Sequence, residues 1–169
     1  MIRPIILAVA AGLFLLPAPA FLSAQSQQAA VNPASRIGMP ARATGPFDVK
    51  LIPQDDKFEP AVARMTIDKQ FHGALEATSK GQMISTMGTV KGSAGYVAIE
   101  VVNGTLAGRK GSFALQHFAT MDRGTPSLQI IVVPDSGTGQ LAGLTGKMNI
   151  IIASDGKHSY DFEYSLPSE

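Results

Sequence analysis

The sequence predicts an all-β protein, a small closed antiparallel β-barrel of about eight strands, and three observations predict it. Short segments of alternating or mainly apolar residues recur between turn-forming residues, the pattern of strands rather than helices. Thirteen of the 17 glycines fall between Gly73 and Gly146, too dense for long helices. No convincing helical stripe occurs after the first 24 residues. Many short strands must manage their edges, and closure into a barrel does so fully; a two-sheet sandwich is the alternative.

In chain order, Phe47 to Ile52 alternates partly and ends at the turn cluster Pro53-Gln54-Asp55-Asp56. Val62 to Phe71 sets Met65, Ile67 and Phe71 on one parity. Leu75 to Thr78, Gln82 to Met87, Tyr96 to Val102 and Ser112 to Met121 follow, each bounded by glycine, as consecutive antiparallel neighbours. Ser127 to Val133 (SLQIIVV) is apolar enough to be buried on both faces, or to face a core on one side and a partner subunit on the other. Lys147 to Ile152 and His158 to Leu166 finish the chain, joined through Ala153-Ser154-Asp155-Gly156, whose Asp-Gly pair is a hairpin signal. The last strand alternates most cleanly: His158, Tyr160, Phe162, Tyr164 and Leu166 share a core face, and Ser159, Asp161, Glu163 and Ser165 a wet one.

At 169 residues, 45% hydrophobic and 16% charged, the chain can bury one real core and is too apolar for a wholly disordered polymer. The lack of cysteine excludes a disulfide framework, a thiolate nucleophile and any Cys-ligated metal. The 14 Lys and Arg stand against 13 Asp and Glu, equal once Arg3 is set aside, so nothing points to nucleic acid or an anionic lipid surface. Residues 1–24 read as an export signal: Arg3, an apolar run from Ile5 to Ala20, then small residues that allow cleavage after Ala20 or Ala24. An uncleaved anchor is the alternative, but that 16-residue run is shorter than the roughly 20 residues of a spanning helix. The expected product carries no stable membrane anchor and is periplasmic or secreted. Residues 25–42 read as a flexible lead-in and 43–167 as a single barrel domain.

The chain has no GxSxG, no HExxH, no calcium loop and no phosphate-binding glycine loop that opens a helix. Its Gly-x-x-Gly strings, such as Gly92 to Gly95 and Gly108 to Gly111, read as tight turns between strands. His72, His117 and His158 are widely separated, and neither a metal nor a cofactor is expected. His117 shares parity with Phe113, Leu115 and Ala119, and Gln116 with Ala114, Phe118 and Thr120, so either face is open as the interior. The acid-base candidates are Glu76 and Glu100, each isolated among small or apolar residues, because an inward carboxylate is desolvated. Glu100 shares parity with Tyr96 and Ala98; the alternative turns it to solvent and leaves Val97, Ile99 and Val101 as core. Tyr160 and Tyr164 are open between core aromatics and pocket hydroxyls, while Lys69, Lys91 and Arg123 read as surface charges.

Three long strings, RMTIDKQFHGALEATSKGQMIS from Arg64, VKGSAGYVAIEVVNGTLAGRKGSFALQHFATMDRG from Val90 and PSLQIIVVPDSGTGQLAGLTGKMNI from Pro126, resemble the bacterial family known as domain of unknown function 3224. The resemblance covers roughly residues 43–167. It implies a barrel like that of the allene oxide cyclases, and Gly137 to Gly143 is similar to a signature of cyclase and dirigent barrels. Such relatives enclose a hydrophobic pocket and often form dimers or trimers. Their catalytic residues do not map one by one onto this chain, so the resemblance carries fold further than activity. His72, Tyr96, Gln116, His117 and Tyr160, with Glu76 and Glu100, are the pocket candidates. The expected function is binding of a small apolar or amphipathic molecule. The alternatives are an isomerase or cyclase in which Glu100 or Glu76 is acid or base, and a packed structural or interaction module that forms a homo-oligomer.

Overall fold

The structure, a computed structural model, describes residues 38–55, 59 and 61–168. The expected export signal and most of the lead-in lie outside the described residues. Eight strands follow one another: β1 (Ala41–Gln54), β2 (Ala63–Phe71), β3 (Leu75–Met87), β4 (Ala94–Leu106), β5 (Arg109–Asp122), β6 (Thr125–Val132), β7 (Thr145–Ile152) and β8 (His158–Ser165). Each is antiparallel to the next, and β8 returns to β1 with Ala43 opposite Phe162, so the sheet closes as a barrel rather than splitting into a sandwich.

Two boundaries differ from the sequence reading. β1 begins at Ala41, so the end of the expected lead-in is part of the wall, and Arg42 forms an ion pair with Asp161 on β8. The segments read as separate strands at 75–78 and 82–87 are one strand of 13 residues. Ser79-Lys80-Gly81 reads as a break by composition, but all three residues pair on both sides, with Lys69, Asp68 and Ile67 on β2 and Val102, Val101 and Glu100 on β4. Tertiary pairing overrides local propensity there.

The β4–β5 and β5–β6 connections are two-residue turns, Ala107-Gly108 and Arg123-Gly124, in which both residues take positive φ, 47° and 82° in the first and 48° and 90° in the second. That geometry matches the twist of the flanking strands and keeps neighbours in tight register. β6 is shorter than β5, and its registered pairs with β5 end at Val132 opposite Leu115. The remaining edge of β5 is met by the following segment: Thr138 N–H donates to Ser112 O, Ser112 N–H to Thr138 Oγ1, Ala114 N–H to Ser136 Oγ and Lys110 N–H to Gln140 Oε1. A short 3-10 turn, Gly139–Leu141, then leads into β7, with Leu141 and Leu144 fully buried. The β6–β7 seam is thin, with Ile131 opposite Lys147 as its one registered pair.

Burial divides the bore into two halves. At the end with the β2–β3 and β4–β5 turns, Phe71, Leu75, Leu106, Phe113 and Phe162 join Leu141 and Leu144 in a sealed core. Each such side chain contributes about 1.5–3 kcal/mol by leaving water. Tyr160 pins this end: its hydroxyl accepts from Leu75 N–H at 2.8 Å and donates to His72 O at 3.0 Å. At the other end, inward residues such as Met65, Met83, Ser85 and Tyr96 are half-buried, so the bore opens into a mouth. SLQIIVV is resolved as a one-sided strand, with Ile130 and Val132 inside and Ile131 46% exposed outside. Among the described residues, no helix is long and apolar enough to cross a membrane.

Candidate functional site

Halfway along the bore, four consecutive strands each send one polar side chain inward: Lys69 from β2, Ser79 from β3, Glu100 from β4 and His117 from β5. The pleat explains the convergence, because Lys69 shares the inner face of β2 with Ile67 and Phe71, and Glu100 that of β4 with Ala98 and Val102. Glu100, with no exposed surface, is the hub. Its Oε1 accepts from Lys69 Nζ at 2.7 Å and His117 Nε2 at 2.9 Å, and its Oε2 from Ser79 Oγ at 2.7 Å. Burial pushes the carboxyl up, but the hydrogen bond from His117 and the charge and hydrogen bond of Lys69 outweigh it and hold Glu100 at about 2. The carboxylate is therefore ionised at neutral pH and only accepts, so His117 carries its hydrogen on Nε2.

Lys69 reaches Glu100 from the sealed side, its Nζ 5.3 Å from the Phe47 ring centre and 5.6 Å from that of Phe71, within cation–π range. The barrel makes room for the hub at Gly81, directly opposite Glu100. A Cβ there would lie 2.4 Å from Ile99 O and 2.6 Å from Glu100 Cβ. His117 approaches from the mouth side, level with Ala98 and Ile130. One step further out is a concavity of about 210 Å³, lined by Ser85, Tyr96, Ala119, Met121, Pro126 and Leu128 among others. Tyr96 is pushed up by burial and by the negative charge of Glu100, which places its phenol in the field of the cluster. A wider depression sits on the outer wall, lined by Val49 and the polar residues Asp48, Lys50, Asp68 and Gln70.

The sequence candidates separate by face. Glu100 and His117 are inside and joined to each other, and Tyr96 lines the mouth. The reading that turned Glu100 to water and made Val97, Ile99 and Val101 core is reversed: those three are each about half exposed on the outer wall. Glu76 is 59% exposed outside the barrel, 3.3 Å from His72 Nδ1, so neither lines the bore. Gln116 is likewise exposed on the outer wall. Tyr160 is inside, but its hydroxyl is committed to the β2–β3 turn. Lys69 reads from sequence as a surface charge and Ser79 carries no mark of a site residue, yet both are buried in the cluster. The signal for Lys69 was its shared parity with Ile67 and Phe71; for Ser79 it was the parity of Leu75 and Ala77, carried through an unbroken strand. Among the described residues no three His, Asp or Glu side chains form a group that could hold a metal ion.

An eight-stranded closed antiparallel barrel with an apolar mouth above a buried, charge-paired polar cluster defines the class of this protein. Residues 43–164 match the family described as "Protein of unknown function (DUF3224)", and the chain belongs to that family. A crystal structure of a protein with unknown function from the same family, from Shewanella oneidensis MR-1, is similar at 49% identity. The match covers 77% of this chain and 99% of that one, with a TM-score of 0.71. No curated protein matches the chain.

Proposed function

We propose that this protein binds a small apolar or amphipathic molecule in the mouth of its barrel. The observation that carries this reading is the concavity at Tyr96, Ala119, Met121 and Leu128, an apolar recess on the inner wall with polar groups at and beneath it. Apolar burial gives affinity in such a site and a few polar groups fix orientation. At about 210 Å³ the recess is below the usual range of roughly 300–1,000 Å³, which suits a small ligand or one end of a longer one. Flexible thioethers at Met65 and Met83, half-buried on the same inner wall, can repack around it. Binding is favoured over proton transfer by Glu100, because a carboxylate held near 2 with three donors is a poor base at neutral pH. The barrel closure also supports kinship with allene oxide cyclase-like barrels.

Native mass spectrometry of protein purified without denaturation, followed by solvent extraction, tests the reading. The expected result is a retained small molecule, or binding from a panel of short-chain alcohols, phenols and fatty acids. Ala119→Phe, which fills the recess, is expected to abolish it. Absence of any ligand, or binding untouched by Ala119→Phe, overturns the proposal. The same spectrum of exported protein gives the mature mass, which under our reading lacks residues 1–20 or 1–24.

A second reading concerns assembly. The outer wall of β3 to β6 carries Ile84, Val97 and Phe118 in one register row and Ile99 and Ile131 in the next, all about half exposed. The polar residues within those two rows are the uncharged Gln82, Gln116 and Gln129. A contiguous uncharged apolar face of this kind favours contact with a second copy of the chain.

A further inference from the structure

We infer that His117 is the recognition residue of the mouth, a fixed hydrogen-bond acceptor that selects ligands bearing a neutral hydroxyl and takes them hydroxyl-first. The inference deepens the mouth-binding reading and rests on it. Its starting point is the tautomer. Glu100 accepts from His117 Nε2 at 2.9 Å and, being ionised, cannot donate, so the ring carries a hydrogen on Nε2, and in the Nε2–H tautomer Nδ1 is a bare acceptor. His117 is 3% exposed, yet Nδ1 makes no hydrogen bond to a described residue. An acceptor in that state asks for a donor.

Direction and charge define the donor. His117 lies two residues deeper than Ala119 on the same inner face of β5, about 7 Å along the strand. His117 does not itself line the recess, so a ligand with its apolar body there meets the ring by extending its head inward past Ala119. Lys69 and Glu100 already cancel as a 2.7 Å ion pair, and Ser79 donates to the second carboxylate oxygen. With that pair cancelling, the partner that completes the cluster is an uncharged O–H donor, an alcohol or a phenol. Glu100, Lys69 and Ser79 are positioning residues: they set the ring's tautomer and angle and do not meet the ligand.

The test uses a matched pair, 4-butylphenol and 4-butylanisole, which share a body and differ in the ability to donate. On the full mature protein the phenol is expected to bind about tenfold more tightly, the worth of one buried neutral hydrogen bond. His117→Phe is expected to erase that preference while both compounds still bind. Because this variant disturbs the cluster and can fail to fold, a second readout stands on unmutated protein. In ¹⁵N-labelled protein, His117 should show the Nε2–H tautomer, and its Nδ1 resonance should move upfield with 4-butylphenol but not with 4-butylanisole. Equal affinity for the two compounds, or an Nδ1 resonance that ignores the phenol, overturns the inference. If both bind equally and Ala119→Phe blocks both, His117 recognition fails while the mouth site stands; if Ala119→Phe blocks neither, the site itself fails and this inference with it.

Discussion

At the scale of the residue, Glu100 shows how a buried charge becomes an organising feature. Removing one member of such a pair is worse than never having had it, because the survivor keeps its desolvation cost without its partner. Lys69→Met is therefore expected to destabilise the barrel by roughly 3–5 kcal/mol, and to cost much less in a Glu100→Gln background. Urea unfolding of the four proteins checks this; a cost unchanged by the second substitution refutes the coupling. The same carboxylate predicts an acid limb. Its folded value lies near 2 against 4.5 ordinarily, so its stabilisation is complete above about 4.5 and is lost as pH falls toward 2. The loss is roughly 3 kcal/mol in the wild type and should be absent from Glu100→Gln, read as the difference between their unfolding midpoints at pH 7 and pH 2. Glu100 and His117 were legible in the sequence as polar residues in apolar strands, and their contact was not. Lys69 was hidden by residue type: lysine sits outside far more often than in a core, and only strand parity argued otherwise.

At the scale of the element, β3 carries the instructive misreading. Glycine within a strand reads locally as a break, since it weakens the pleat and favours turns. Here Gly81 has the opposite role. It is the position at which β3 lets the backbone and Cβ of Glu100 come close, so the polar hub fits inside a barrel of small girth. Gly81→Ala would set a methyl group against the Ile99 carbonyl and Glu100 at distances real side chains do not tolerate. We expect it to destabilise by about 1–3 kcal/mol, the range for overpacking, and to weaken ligand binding by disturbing the hub. Thermal unfolding and the binding assay read both effects, and an unperturbed variant would show the space at Gly81 to be dispensable. The other strands were legible because their alternation and turn residues are local properties. Which wall of β4 faced inward was not, since Val97, Ile99 and Val101 offer a better core by hydropathy than Ala98, Glu100 and Val102. Closure decided it, through pairing with β3 and β5 that no single strand encodes.

At the scale of the whole molecule, the apolar side chains that lost that contest line the outer wall and set its association behaviour. If the face is a contact between copies, light scattering will give a mass above that of one chain, and Phe118→Glu together with Val97→Glu will return it to the monomer. A monomeric wild type at high concentration would leave the outer wall without that role. The sheet itself is joined very unevenly. β3 and β4 share thirteen registered residue pairs, whereas β6 and β7 share one, Ile131 with Lys147. A hoop with every stave equally bound has a fixed girth; one with a single light clasp can change circumference there while the rest of its wall stays rigid. The recess draws Pro126, Ser127 and Leu128 from β6 at the end away from that clasp, where the strand is registered to β5 and not to β7, so this side of its rim is fastened along one edge only.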